Sequence, residues 1–218
     1  MTSIIFLDAY NEDYADIAEI GVEDKVEYCK VNKYNFKSYF LDKKDYFDRT
    51  PHWGKINAIK ANLKNCDWLF YCDTDSLIVN NLVKLESCID DNYDIIIGPL
   101  PFEGRIATNA FLIKNCKWSF SFLDYWYEQE YFIDHPYFPD PTCDFKATGI
   151  NGDGGMYFEQ SALEYLYDVD ESIRKRIKRV NKDTFKFFLI HFPFPKKEKI
   201  DKMKIVKSKI KRTKLKWV

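Results

Sequence analysis

The sequence predicts an α/β fold in which a mostly parallel central sheet is flanked by helices. Apolar runs of strand length alternate with longer segments whose apolar residues recur every three or four positions. The resulting β-α-β-α-β order is typical of parallel strands joined by helical crossovers. Two aspartates, Asp8 and Asp73, each follow a predicted strand directly. Because ligands of such folds bind outside the carboxyl ends of the strands, this edge of the sheet is the expected site.

The first third of the chain supplies three strands and two helices. The predicted elements are, in order, a strand at 3–7, a helix at 11–33, a strand at 35–41, a helix beginning at Pro51 and a strand at Trp68–Cys72. Gly21 is a candidate interruption of the first helix. Pro51 suits the first turn of the second helix, because the N–H that proline lacks is unpaired there in any residue.

The rest of the chain continues the alternation around one long irregular segment. We expect a short helix at 82–89, strands at 94–97 and 110–114, an aromatic helix at 116–130, a helix at 157–167 and a strand at 184–191. Residues 131–155 are rich in proline, aspartate and glycine. A loop of that length inside a compact domain is usually functional.

Composition and charge limit the classes of protein that remain. With 46% hydrophobic and 17% aromatic residues, the chain of 218 is globular. Its net charge of −1 combines about +9 over residues 196–218 with about −10 over residues 1–195. Such an acidic body is a poor match for a nucleic-acid backbone, so no nucleic-acid partner is expected. We predict one domain over 1–195 and a basic C-terminal tail or linker over 196–218, which can lead into a further domain.

Cysteine usage and the N-terminus favour an intracellular protein. The six cysteines form no CxxC pair and no zinc-like cluster with histidine, and are interpreted as reduced thiols. The first residues lack the basic segment of a secretory leader, and no apolar run reaches the length that spans a membrane. We therefore expect a soluble cytoplasmic protein without a transmembrane segment.

The stretch WLFYCDTDSLIV carries the main functional signal. Asp73 and Asp75 follow a buried strand with one residue between them, so both carboxylates can reach one hard divalent cation. Mg²⁺ or Mn²⁺ held there keeps positions open for phosphate oxygens. The chain also contains Asp168-Val169-Asp170, but this second pair follows an amphipathic helix and is interpreted as a solvated helix end.

Motifs similar to this aspartate pair occur in two known enzyme classes. YCDTDSL is close to the YGDTDS motif of family B DNA polymerases, yet the chain is too short and too acidic for such an enzyme. A DxD metal-dependent phosphatase of the haloacid-dehalogenase type places threonine or valine two residues after the second aspartate, where this chain has Leu77. The context of the motif therefore argues against both alternatives.

The chain resembles glycosyltransferase family 34, the galactosyl-, mannosyl- and xylosyltransferases of fungi and plants. Four blocks match in order: residues 52–81 (HWGKINAIKANLKNCDWLFYCDTDSLIVN), 109–126 (NAFLIKNCKWSFSFLDYW), 159–166 (EQSALEYL) and 191–196 (HFPFPK). The resemblance implies a GT-A fold, the Rossmann-like fold of nucleotide-diphospho-sugar transferases. It also implies a nucleotide-sugar donor, UDP-linked, and a saccharide or glycoprotein glycan as acceptor. A cytoplasmic enzyme of this type suits a bacterium, or a large DNA virus that builds capsid glycans in its host's cytoplasm.

The metal and donor residues follow from chemistry and from the resemblance. Mn²⁺ or Mg²⁺ is assigned to Asp73 and Asp75, and the resemblance adds His191 as the third ligand. At the first strand end, Asp8 is expected to accept a bond from base or ribose and Tyr10 to stack on the base. The resemblance adds four further donor-binding candidates, namely Lys55, Arg105, Asn109 and, as partner of the diphosphate, Lys196.

Three residues are candidates for the transfer itself. The resemblance implies retention of anomeric configuration, with Gln160 and nearby carboxylates stabilising charge at the anomeric carbon. An inverting enzyme would instead need a carboxylate base, for which Asp153 and Glu159 are the candidates. The block at 191–196 departs from the family's HFxGCK, and TNAFLIKN lacks the family's glycine. These departures bear on the identity of the sugars more than on the fold.

Overall fold

The computed structural model describes residues 2–99, 106–133, 158–181, 184–185 and 188–214, with side chains to residue 210. The strands are β1 (Ile4–Tyr10), β2 (Asn35–Phe40), β3 (Trp68–Cys72), β4 (Ser76–Ile78), β5 (Ile95–Pro99), β6 (Ile106–Lys114), β7 (Ile177–Arg179) and β8 (Leu189–His191). The α-helices are α1 (Ala15–Asn32), α2 (Pro51–Leu63), α3 (Lys117–Tyr127), α4 (Glu159–Val169), α5 (Glu171–Arg174) and α6 (Lys196–Lys214).

A six-stranded sheet forms the centre, and its mostly parallel character confirms the predicted fold class. The strand order is β2-β1-β3-β6-β5-β7. β1 pairs in parallel with β2 and β3, and β5 pairs in parallel with β7. β6 alone runs against its neighbours β3 and β5. The carboxyl ends of β1 and β3 therefore lie side by side, which places their trailing residues at one edge.

Helices cover both faces because the central strands are apolar on both. All five residues of β3 are buried, and alternate side chains point to opposite faces. Leu69 and Tyr71 pack with α2, α3 and α4. Phe70 packs on the other face, where it shares a core with Tyr28 of α1. This double burial explains the unbroken apolar run that precedes the aspartate pair.

Differences from the predicted elements are local. β1 extends through Asp8 to Tyr10, and α1 passes through Gly21 without a break. The strand expected at 184–191 is shortened to β8, which pairs with β4 in a separate two-stranded sheet. β4, β7 and α5 have only three or four residues each, too few for periodicity to reveal.

The basic C-terminal segment forms helix α6, which packs on α1. Met203 is fully buried in a small core with Ile17 of α1. Lys207 adds an ion pair to Glu23, with the two charged atoms 3.1 Å apart. The apolar stripe of the predicted tail is therefore the face that binds the body. Among the residues that the structure describes, no helix has the length and apolar character needed to cross a membrane.

Candidate metal and donor site

The aspartate pair lies where β3 ends, and a short β-pairing brings a histidine to it. Thr74 connects Asp73 to Asp75, and its side chain donates to the backbone oxygen of Ala9 at 2.9 Å. β4 follows immediately and pairs with β8 in a register that sets Ser76 opposite His191. The strand pairing, rather than proximity in sequence, therefore delivers the histidine to the aspartates.

Three side chains converge as predicted for a cation site. His191 Nε2 lies 3.2 Å from one oxygen of Asp75 and 4.0 Å from one oxygen of Asp73. The three prospective ligand atoms lie within 4.8 Å of one another. Two carboxylates and one imidazole suit a dication of the Mn²⁺ or Mg²⁺ class, and three ligands leave positions open for substrate oxygens.

Electrostatics keep the carboxylate of Asp75 ionised. Burial alone would raise the pKa of Asp75, but His191 and Lys199 outweigh that effect and hold the pKa well below its usual range. Burial would likewise lower the pKa of His191, but the charge of Asp75 raises it. The site thus holds a stable anionic oxygen close to its histidine.

Lys55 links the aspartate pair to the start of α4. Its buried ammonium lies 3.0 Å from an oxygen of Asp73 and 2.8 Å from an oxygen of Glu159. Burial disfavours the charge on Lys55, but the two carboxylates outweigh this and raise its pKa. Tyr71 also donates to Asp73, at 2.9 Å. The predicted catalytic and metal-binding carboxylates are therefore joined through one lysine.

Glu159 and Gln160 lie together beside β6. The hydroxyl of Thr108 donates to Glu159 Oε1 at 2.8 Å and also lies 3.4 Å from Gln160 Oε1. The second oxygen of Glu159 is buried and has no hydrogen-bond partner among the described residues. A buried acceptor without a protein donor is unusual and indicates a place where a water molecule or a ligand supplies the donor.

Asp8 helps to support the segment 73–76, which we call the metal loop. Its side chain is 1% exposed, and one oxygen lies 2.7 Å from the ammonium of the fully buried Lys25. Ser38 donates to the other oxygen. Lys25 also donates to the backbone oxygen of Thr74 at 3.1 Å and lies 3.4 Å from that of Asp73. Both carboxylate oxygens of Asp8 are therefore in contact with protein groups. The predicted contact of Asp8 with the donor stays a prediction.

The remaining predicted donor residues make the following contacts in the folded chain. Tyr10 ends β1 and meets Phe40 edge to face, with ring centres 5.6 Å apart. Asn109 is on β6, and its backbone oxygen accepts from Asp73 N at 2.8 Å. Lys196 is half exposed, and its ammonium lies 3.2 Å from a carboxylate oxygen of Asp16. Arg105 and Asp153 lie outside the described residues.

Sequence reasoning missed two lysines that reach the metal loop. Lys25 lies on the same face of α1 as the buried residues Gly21 and Tyr28, and a lysine in an apolar stripe was the available signal. Lys199 lies one helical turn after Lys196 and binds Asp75. Its position on the stripe of α6, beside Ile200 and before Met203, gave a similar signal.

Gly21 lets α1 approach the backbone of the metal loop. A β-carbon at this position would lie 3.2 Å from the backbone oxygens of Thr74 and Ser76. Gly→Ala in a helix interior normally stabilises by about 1 kcal/mol. We expect Gly21→Ala to lose that gain and to lower the free energy of unfolding, because the loop backbone must shift. Urea unfolding measures this, and a net stabilisation of about 1 kcal/mol would contradict the close contact.

Two family profiles match overlapping parts of the chain. A profile described as protein of unknown function, DUF273, matches residues 26–139, more than half of the chain. The chain belongs to this family. A second profile, that of the galactosyl transferase GMA12/MNN10 family, matches residues 101–204. The two matches together span the aspartate pair, α4 and His191.

Curated relatives agree with the second profile. The probable xyloglucan 6-xylosyltransferase 3 of Arabidopsis thaliana is 24% identical over 49% of this chain and 25% of its own length. The galactomannan galactosyltransferase 1 of Cyamopsis tetragonoloba is 25% identical over 48% of this chain and 26% of its own. The probable alpha-1,6-mannosyltransferase MNN10 of Saccharomyces cerevisiae is 24% identical over 77% and 47%. The chain spans a quarter to a half of the length of these relatives.

Solved structures confirm the GT-A-type fold. The superposition on a glycosyltransferase involved in glycosylation of the major capsid of PBCV-1 covers 93% of this chain and 99% of that chain. Its TM-score is 0.65, at 16% sequence identity. The glycosyltransferase GlyE of Streptococcus pneumoniae TIGR4 covers 86% and 47%, with a TM-score of 0.50 at 12% identity. The resemblance to family 34 is confirmed. These homologues are named as glycosyltransferases, which is the predicted enzyme class.

Proposed function

We propose that this chain is a metal-dependent glycosyltransferase that takes a sugar from a nucleoside diphosphate sugar, with UDP as the expected nucleotide. The acceptor is a saccharide or a glycoprotein glycan. The observation that carries the proposal is the convergence of Asp73, Asp75 and His191 at the carboxyl edge of a GT-A-type sheet. The relatives' names supply the class of reaction, and the cluster supplies the means to bind a diphosphate.

The chemistry at this edge is the stabilisation of a leaving group. As the anomeric bond lengthens, negative charge builds up on the diphosphate, and a dication held by the three side chains would neutralise it without a proton donor. Lys55 holds Asp73 from behind, at 3.0 Å, and keeps its second oxygen turned towards His191. Lys55 therefore fixes the orientation of Asp73 before the donor binds.

Glu159 and Gln160 are the groups that we assign to the sugar. Glu159 is held by Lys55 and Thr108 through one oxygen, which leaves the other to accept from a sugar hydroxyl. Because Lys55 and Thr108 hold the carboxylate of Glu159 in one position, we assign Glu159 to orienting the sugar rather than to removing a proton from the acceptor. This arrangement favours retention of configuration, with Gln160 beside the anomeric carbon.

A cytoplasmic location remains our proposal for the compartment. Cys29, Cys66 and Cys72 are buried free thiols, and Cys88 and Cys116 are free as well. Burial raises the pKa of Cys66 to about 11, so this thiol is protonated at neutral pH. Protonated, buried thiols are typical of proteins that keep their cysteines reduced.

A screen of nucleoside diphosphate sugars tests the proposed function. Thermal unfolding is followed with each sugar nucleotide in the presence and absence of Mn²⁺, and any stabilising donor is then incubated with candidate acceptors for product analysis. We expect one donor to raise the melting temperature only with metal, because binding to the folded state alone stabilises it. Stabilisation without turnover would favour a nucleotide-sugar binding module, and no stabilisation by any donor would refute the proposal.

A further inference from the structure

A buried lysine from α6 occupies the far side of the aspartate pair. Lys199 binds the second oxygen of Asp75, whose first oxygen faces His191. The lysine side chain is 6% exposed. Its ammonium also lies 4.9 Å from the centre of the Tyr14 ring and 3.4 Å from the Tyr14 hydroxyl. Asp75 therefore already has a cation in contact before any metal binds.

The charges around the site are almost balanced by the protein itself. Three carboxylates, those of Asp73, Asp75 and Glu159, face two buried ammonium groups, those of Lys55 and Lys199. A dication that enters this cluster meets a net charge of about −1 from these five side chains, rather than the −3 of the carboxylates alone. Attraction for a free metal ion is reduced accordingly. A nucleoside diphosphate brings the missing negative charge with it.

We propose that Lys199 makes metal binding depend on the donor, acting as a positioning and charge-balancing residue behind Asp75. The inference rests on the proposed function, because it takes Asp73, Asp75 and His191 as the metal ligands. With Lys199 in place, the dication binds weakly alone and firmly together with a diphosphate. The lysine also fixes Asp75 so that a single oxygen points towards His191.

Lys196, which the family resemblance assigns to the diphosphate, is the first residue of the same helix, and that assignment stays a prediction. Its side chain is half exposed, and its ammonium lies 3.2 Å from a carboxylate oxygen of Asp16 of α1. Lys199 is one turn further along α6 and is the lysine of this helix that contacts Asp75. The packing of Met203 against Ile17 sets the rotation of α6 that turns Lys199 inward.

Titration of the protein with Mn²⁺ by calorimetry, alone and with saturating UDP, tests the inference without any transfer reaction. We expect Lys199→Met to tighten the binding of Mn²⁺ alone by about tenfold or more, since the opposing charge is removed. The gain in Mn²⁺ affinity that UDP produces should be smaller in this variant than in the wild type. Lys199→Arg keeps the charge and should bind Mn²⁺ alone as weakly as the wild type does.

Lys202→Met is the matched control, because Lys202 is on the same helix and its ion pair within the described part of the chain is with the exposed Glu198. It should leave Mn²⁺ binding unchanged. Unchanged or weaker Mn²⁺ binding by Lys199→Met would overturn the inference and leave Lys199 as a support of Asp75. If Lys199→Met does not fold, Lys199→Gln replaces it, with the same expected result and the same contradicting result. A wild-type protein that binds no Mn²⁺ even with UDP would refute the proposed function itself.

Discussion

Replacing Asp75 by asparagine should reduce sugar transfer by about 10²- to 10³-fold, measured as kcat/KM with the donor found in the screen. Asparagine keeps the shape of the side chain and can still accept from Lys199 through its amide oxygen. The neutral amide is a poorer ligand for a hard dication, and a metal contributes several kcal/mol to stabilising charge in a transition state. The loss of activity should therefore be accompanied by loss of the Mn²⁺-dependent rise in melting temperature.

The second aspartate pair of the chain provides the control for that experiment. Asp168 is exposed near the end of α4 and belongs to the same Asp-x-Asp pattern. Asp168→Asn should leave transfer within about twofold of the wild type, because surface substitutions have small effects. Removing metal from the wild type with EDTA should reproduce the loss seen in Asp75→Asn, and Mn²⁺ should restore only the wild type. Full activity in Asp75→Asn would place the cation elsewhere.

The contrast between the two aspartate pairs shows which part of the site was readable from the sequence. Asp73 and Asp75 follow a strand that is buried on both faces, and β3 has the predicted bounds Trp68–Cys72. Asp170 instead caps α5, where its side chain accepts from the backbone of Ser172. Hydrophobic periodicity distinguishes these contexts because it reports burial. Resemblance to a family was needed for His191, since β4 and β8 are too short to reveal their pairing.

Groups whose role depends on long-range packing were not readable. Lys25 is 48 residues from Asp73 and Lys199 is 124 residues from Asp75. A lysine in a helix is usually solvated, and only its partner explains why it is buried. Asp8 illustrates the same limit, because nothing in the sequence indicates its ion pair with Lys25, in which the charged atoms lie 2.7 Å apart.

Lys25→Met should therefore destabilise the whole domain, by about 3–5 kcal/mol, because it leaves the carboxylate of Asp8 buried without its counter-charge. Lys25 and Asp8 are 0% and 1% exposed, so solvent cannot take over the lost contact. In a protein of this size, that loss corresponds to a drop in melting temperature of roughly 6–20 °C. Urea unfolding gives the free energy directly. Lys30→Met, at an exposed position on the same helix, should change it by less than about 0.5 kcal/mol.

A double variant separates the buried charge from the support of the loop. Lys25→Met combined with Asp8→Asn removes both charges, and it should regain most of the stability that Lys25→Met loses, since replacing a buried pair as a whole is often nearly neutral. Mn²⁺-dependent donor binding should stay weak in the double variant, because the backbone oxygens of Asp73 and Thr74 still lack the ammonium of Lys25. Recovery of stability together with full metal-dependent binding would show that the loop holds its shape without Lys25. Recovery of stability alone would assign the Lys25–Asp8 pair, beyond its effect on stability, to binding of the metal and donor.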